Sequence, residues 1–504
     1  MKFYLTLALL FVYSLLFSLN TSYGASLYGT NKKNKDHYTI QIDSNNLKKA
    51  GVEWIFTVKD SLLYMSDIGA NQCPERWANF VHDLKAESKD GKLLKIESLN
   101  GAQWKIYAEK GAKVKLSYVI HLDHEDYAWS GGVDGAAYAS DWGVFYTGRS
   151  LFIMNGTGIK DLKVTFKTPE NWKISTPWEK TTKGSQTYII DTQTSLSDSM
   201  FFAGEHEELI IKRDDFELVF ALGGEEIIAQ KEAFGLLATG VLDYYIELMG
   251  GVPNPAPDNK FKKSIVIINS SNSVTDGEVI GNSISILLEK EGDQMSQLIG
   301  RFIFTHEFFH LWNGKSFAPV GNDCEWLKEG FTNYYSLKSL FHVGYLNKQS
   351  FLNVLNDFFY QKYDQDEGVG NLSMTDGDLK HDHWGLIYCG GLFAGISQDM
   401  IIRTQTQNEK SLDDVMRTLY EKYGGSNEGY TLAEIELMLS QTSGLDQSGF
   451  FESYINGHER IPIGQYLNMA NFDAIEENGK IDISIKNKAD LLTSEITEGF
   501  FGIN

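Results

Sequence analysis

Two periodicities divide this chain, and the point where one gives way to the other limits what it can fold into. Between His37 and Gly204 the segments "HYTIQI", "VEWIFTV", "KVKLSYVIHL", "GVFYTGRSLFIM" and "LKVTFKT" alternate apolar and polar residues between Gly, Asn and Asp turns. That is the period of half-buried strands. Beyond Gly204, "ELIIKR", "FELVFAL", "SIVIIN" and "SISILL" still read as strands, but "EEIIAQKEAFGLLATGVLDYYIELMGG" has helical spacing that stops at Gly250-Gly251. From about Asp293 to Tyr466 helices dominate. One of them, "SLDDVMRTLYEKYG", has Ser411 as its N-cap and Gly424 as its stop. The expected fold class is therefore α+β and multidomain: a β-sandwich-like domain over 25–204, an α/β domain with a mainly helical C-terminal part over 205–467, and a short tail over 468–504 holding the strand "KIDISIK".

The length of 504 residues, 42% of them hydrophobic, is enough for more than one core. The net charge of −22 argues against nucleic acid as a partner, because phosphate backbones need clustered Lys and Arg. At the N-terminus Lys2 precedes an apolar run from Phe3 to Leu19, followed by small residues at Gly24 and Ala25. This is the pattern of a cleaved signal peptide over 1–24 and predicts export, periplasmic or extracellular, with no stable membrane insertion afterwards. Three cysteines, Cys73, Cys324 and Cys389, are too few for a disulfide framework. A single Cys324–Cys389 bridge and three unpaired buried thiols are the two readings.

The chemistry concentrates in "QMSQLIGRFIFTHEFFHLW", residues 294–312, which reads as one buried helix carrying Leu298, Ile299, Phe302, Ile303 and Phe309. On it His306 and His310 are one turn apart on one face, so both imidazoles can reach a single ion. Glu307 lies about 100° around the helix, placed to act on water rather than to ligate. A hydrolytic zinc site needs a third protein ligand and an open position. Glu329 stands 19 residues after His310 in "WLKEGFTNYY", among aromatic residues that make a solvated charge unfavourable. A buried carboxylate needs a partner, and a dication supplies one. Asn333, one turn further on, is placed to hold a ligand in orientation.

"HEFFHLWNGK" followed by "WLKEGFTNYYSL" resembles the glycyl aminopeptidase family of gluzincin metallopeptidases, whose members carry HExxHxWN and then W-x-x-EGFT-x-YY. The resemblance continues through "YCGGLFAGISQDMIIR" and "FFESYINGHERIPIGQYL" and covers about residues 290–470. It implies a thermolysin-like catalytic domain with one Zn²⁺ held by His306, His310 and Glu329, Glu307 as general base, and a peptide or protein as substrate. It also implies a tyrosine that donates to the tetrahedral intermediate. The matching segment is Tyr388-Cys389-Gly390-Gly391, with His381 and His383 as alternative donors.

Two departures from the family pattern bear on what would be cut. Members carry Gly-Gly-Leu-Glu-His-x-Asn-Ser on an edge strand, and by analogy its glutamate holds the substrate's α-amine. Here Asp276 to Ser283 read "DGEVIGNS", with Val279 at the glutamate position and Glu278 one residue off, which on a strand is the opposite face. An aminopeptidase is thus expected from the resemblance, with an endo- or oligopeptidase on the same site, or a non-catalytic peptide-binding protein, as alternatives. Members also often carry a C-terminal PDZ domain, and 468–504 is too short to form one. The Gly- and Ala-rich segment "DYAWSGGVDGAAYASDWG" is a candidate cleft-lining loop.

Overall fold

The computed structural model describes residues 36–503, apart from positions 72, 122–134, 159, 258–259, 273–274, 291, 293 and 488–489. The signal-peptide expectation over 1–24 and the first half of the Gly- and Ala-rich segment lie outside the described residues.

The N-terminal part is built of one eight-stranded and two four-stranded sheets. Alternation delivers what it promised: Tyr38, Ile40 and Ile42 on one strand, and Val52, Trp54 and Phe56 on its neighbour, are buried on the same face. They share a single core with residues of the smaller sheets, among them Met154, Leu63 and Phe201. "GVFYTGRSLFIM" is not one strand. The strand Gly143–Thr147 ends where the Thr147 hydroxyl accepts the Ser150 N–H, starting a helical turn over Gly148–Leu151. A short side-chain acceptor at this point competes successfully with the sheet ladder.

The second part opens with a mixed five-stranded sheet: β1 (Glu207–Arg213), β2 (Phe216–Gly223), β3 (Lys263–Ser271), β4 (Asp276–Ile280) and β5 (Ser283–Glu289). Their spatial order is β1-β2-β3-β5-β4, which leaves β4 at an edge, antiparallel to β5. One face of this sheet, with Ile265, Ile267, Ile280 and Leu287, packs on Tyr138, Phe145, Met200 and Phe202 of the N-terminal part. The other face, with Val266, Ile268, Ile284 and Ile286, joins the large helical core. The runs "SIVIIN" and "SISILL" are apolar throughout because both faces are covered.

The helices that matter for the site are α1 (Lys231–Met249), α2 (Gln294–Phe309), α3 (Glu325–His342), α4 (Gly390–Gln405), α5 (Leu412–Tyr423) and α6 (Leu491–Phe500). α1 ends on Gly250 in the left-handed region, and α5 starts on a Ser411–Asp414 capping box. α2 stops at Phe309, earlier than expected, and Ile299 is 39% exposed rather than buried. Phe304, Phe308 and Phe309 carry its packing. α3 and α4 cross at two glycines. A Cβ on Gly391 would stand 2.0 Å from the Trp326 carbonyl oxygen, and one on Gly330 would stand 2.1 Å from the Gly391 backbone. Any side chain at either position would push the helices apart. The helical run Gly385–Gln405 is long and apolar enough to cross a membrane but is almost wholly buried among its neighbours.

The tail is not a lone strand. Phe472–Glu477 and Lys480–Ile485 form a hairpin, and α6 follows it. α6 delivers Phe500 and Phe501, both fully buried, into the helical core. All three cysteines are free and buried, so the Cys324–Cys389 bridge is not formed.

Candidate metal centre

His306 lies in the last turn of α2, and His310 is the first residue beyond its end. The chain turns there because Asn313 ties it down. The Asn313 carbonyl accepts from His310 Nδ1 at 2.9 Å, while the Asn313 amide donates to Lys328 O and to Thr332 Oγ1 on α3. This accounts for the Asn of the Trp-Asn pair. Glu329 comes from the first part of α3, which packs on α2.

The three expected ligand side chains converge. His306 Nε2 and His310 Nε2 are 3.1 Å apart, and Glu329 Oε2 is 3.4 Å from the first and 3.2 Å from the second. Tetrahedral donors bound at about 2.0–2.1 Å stand roughly 3.3–3.4 Å from one another. The spacing therefore suits a small dication. The protonation pattern points the same way. His306 Nδ1 faces the Asn333 side-chain oxygen at 2.9 Å, and the Asn333 amide is committed to the Tyr388 carbonyl oxygen at 3.1 Å. Both imidazoles thus give their Nδ1 protons to acceptors, which leaves two Nε2 lone pairs and a carboxylate oxygen aimed at one point. All three residues are buried. Three acceptors facing each other away from water are a liability unless a cation sits among them.

The cleft over this triad has a volume of about 350 Å³, and its walls include Val279, Glu307, Lys380, Trp384 and Tyr388. Glu307 faces the cleft but is not part of the metal-ligating group, as its angle on the helix requires. Burial pushes its carboxyl up to about 7; His306 opposes the shift and Glu329 adds to it. Burial raises the Glu329 carboxyl, but the positive charge beside it, that of Lys328 included, holds it well below the usual carboxylate range. Tyr388 sits on a π-helical turn, Gly385–Cys389, that feeds into α4. Its ring lies near that of His306 (centroids 6.2 Å apart) and stacks on Trp384. Burial, with Glu329 and Glu307 adding, raises its phenol, which therefore stays protonated and can donate.

The alternative donors do not reach the cleft: His383 Nδ1 is bonded to Asp366 at 2.8 Å, and His381 is exposed. The neighbouring Lys380 does reach it. Its ammonium lies 3.1 Å from Glu329 Oε1 and 2.7 Å from Glu325 Oε2, so the second oxygen of Glu329 is held by lysine while the first faces the imidazoles. No local pattern in the sequence marks this contact, which spans 51 positions.

At the edge strand, Val279 lines the cleft and packs on the helical core. Glu278 points the other way, on the face of Ile280, with its Oε2 3.7 Å from where a Cβ on Gly135 would stand. No bulge in the β4–β5 register brings it round.

Residues 71–205 match the family model "Peptidase M61 N-terminal domain", and residues 301–412 match "M61 glycyl aminopeptidase". The chain resembles the M61 glycyl aminopeptidases in both halves. The second M61 match contains the two histidines, Glu307, Glu329 and Tyr388, and the first lies within the β-rich half. Among solved structures, an aminopeptidase N family protein from Idiomarina loihiensis superposes with a TM-score of 0.75 at 18% identity, covering 88% of this chain and 79% of that one. At that identity the likeness is one of fold. No curated protein matches the chain. The M61 match and the convergent His306, His310 and Glu329 together support a peptide-bond hydrolase.

Proposed function

We propose that the chain is an exported, zinc-dependent peptidase whose one metal ion is held by His306, His310 and Glu329. The observation that carries this reading is the convergence of three acceptor atoms, 3.1–3.4 Å apart, beneath a cleft that also holds Glu307 and Tyr388. A zinc ion bound there would acidify water and polarise a carbonyl. Glu307, facing the same space and poised near neutrality, accepts the proton of the attacking water and returns it to the departing amine. Tyr388 donates to the oxyanion as it develops. Asn333 and the Asn313 carbonyl fix the imidazole rings, and Lys380 fixes the carboxylate. The apolar run after Lys2 supports export.

The family resemblance favours an aminopeptidase. A second reading, an endo- or oligopeptidase on the same residues, is favoured by Val279 in the cleft and by Glu278 on the far face of β4. Cleavage of a peptide library with free and with acetylated N-termini separates the two. A loss of cleavage on acetylation supports the aminopeptidase, and equal cleavage rules it out.

A further inference from the structure

A second, larger groove, of about 700 Å³, runs between the N-terminal part and the five-stranded sheet. It adjoins the metal centre in two places. Gly281 and Asn282, at the end of the edge strand that brings Val279 to the cleft, form part of its wall. Gly314 and Lys315, which leave the metal helix through the Asn313 turn, form another part. A Cβ on Gly314 would stand 3.6 Å from His310 Nδ1, the ring nitrogen turned away from the metal, so the groove begins behind a ligand.

In a chain of net charge −22, this groove carries four lysines: Lys260, Lys262, Lys263 and Lys315. Two are spoken for. Lys263 pairs with Glu179 at 3.2 Å and Lys262 with Asp215 at 2.7 Å. Lys315 is different. Lys315 is half-buried, and the charged groups around it are Asp198, Lys328, Arg149 and Glu307. Asp198 is taken by Arg149 at 3.0 Å, and Lys328 is bound to Glu325 at 2.6 Å. Lys315 is thus a half-buried cation in the groove wall, close enough to the general base to feel its charge. A cation so placed is stabilised by an incoming anion far more than one on an open surface.

We infer that Lys315 anchors a subsite for an acidic side chain of the peptide, a few residues from the scissile bond. Chain docked over the metal continues past Gly281 into the groove, where a carboxylate meets Lys315, with Lys260 further along the same wall. The inference rests on the peptidase reading and adds a substrate class to it: peptides with Asp or Glu near the cleavage point.

The test uses otherwise identical peptides with Glu or Gln moved through the positions on either side of the cleaved bond. At one position the wild-type enzyme is expected to prefer Glu by about tenfold or more in kcat/KM, chiefly through KM, as a charge-assisted hydrogen bond allows. Lys315→Gln should bring that ratio close to one, and Lys315→Arg should retain most of it. A second arm measures binding of the same labelled peptides to Glu307→Gln protein, where the Glu peptide should bind tighter at low salt and lose its advantage in Lys315→Gln/Glu307→Gln. Active enzyme with no Glu preference at any position overturns the subsite and leaves the peptidase reading intact. If no peptide is cleaved, the peptidase reading fails, and the binding arm alone decides the subsite; equal binding of both peptides overturns it.

Discussion

Helix α3 carries two buried charge clusters, and they are built in opposite ways. Near its start, Glu329 meets two imidazoles whose Nδ1 protons are already given away, so three acceptors face one another. Nearer its end, Lys338, fully buried, lies 3.3 Å from Asp413, which also accepts from the Tyr335 hydroxyl. Arg403 pairs with Asp399 at 3.1 Å and donates to the Gly499 carbonyl oxygen, while the Tyr334 hydroxyl bonds Asp399 and the Phe500 carbonyl oxygen. In this second cluster two cations meet two anions, and donors meet acceptors. It fastens α4, α5 and the tail helix α6 to α3 and asks for nothing more. In the first cluster Lys380 and Lys328 answer Glu329 Oε1, and what is left over is Glu329 Oε2 facing two Nε2 atoms. Burial and charge are common to both; the sign of what faces what separates a strut from a site.

That difference can be broken experimentally. His310→Leu is expected to abolish stoichiometric zinc and peptide hydrolysis. In EDTA, however, its thermal midpoint should be unchanged or higher than wild type, because one of three opposed acceptors has gone. A midpoint well below wild type in EDTA would make His310 part of the strut. Asp413→Ala is expected to do the reverse. It strands Lys338 in the core at a cost of about 3–5 kcal/mol, read by denaturant unfolding, while the protein that remains folded still binds zinc. Smallest is Asn333→Ala, which frees the His306 ring and should weaken zinc binding about 10–100-fold in competition with a chelator, with little change in unfolding midpoint.

Much of the site was legible because its signals are local. An i, i+4 pair on one helix face and a carboxylate in an aromatic helix need no knowledge of the fold, and Ser411 and Gly424 bound α5 by side-chain and backbone chemistry alone. The rest depends on long-range contacts. Lys380 reaches Glu329 from a loop with no periodicity, beside two histidines that drew attention by residue type. The early end of α2 follows from a hydrogen bond that His310 makes to the turn after it. The tail helix did carry a signal, Leu492, Ile496 and Phe500 spaced four residues apart, but what fixes its end is long-range: Tyr334 holds the Phe500 carbonyl and Arg403 that of Gly499. The face of Glu278 was settled by the two-residue period of a strand, which the β4–β5 register obeys.

The central claim is that the unbalanced cluster exists to hold a metal that Glu307 then uses. Zinc content and peptide hydrolysis, measured together on wild-type protein and on Glu307→Gln after expression in zinc-replete medium, test it directly. The account predicts about one zinc per chain in both proteins and hydrolysis only in the wild type. Wild-type protein without zinc, or Glu307→Gln that still cleaves peptides at the wild-type rate, would contradict it.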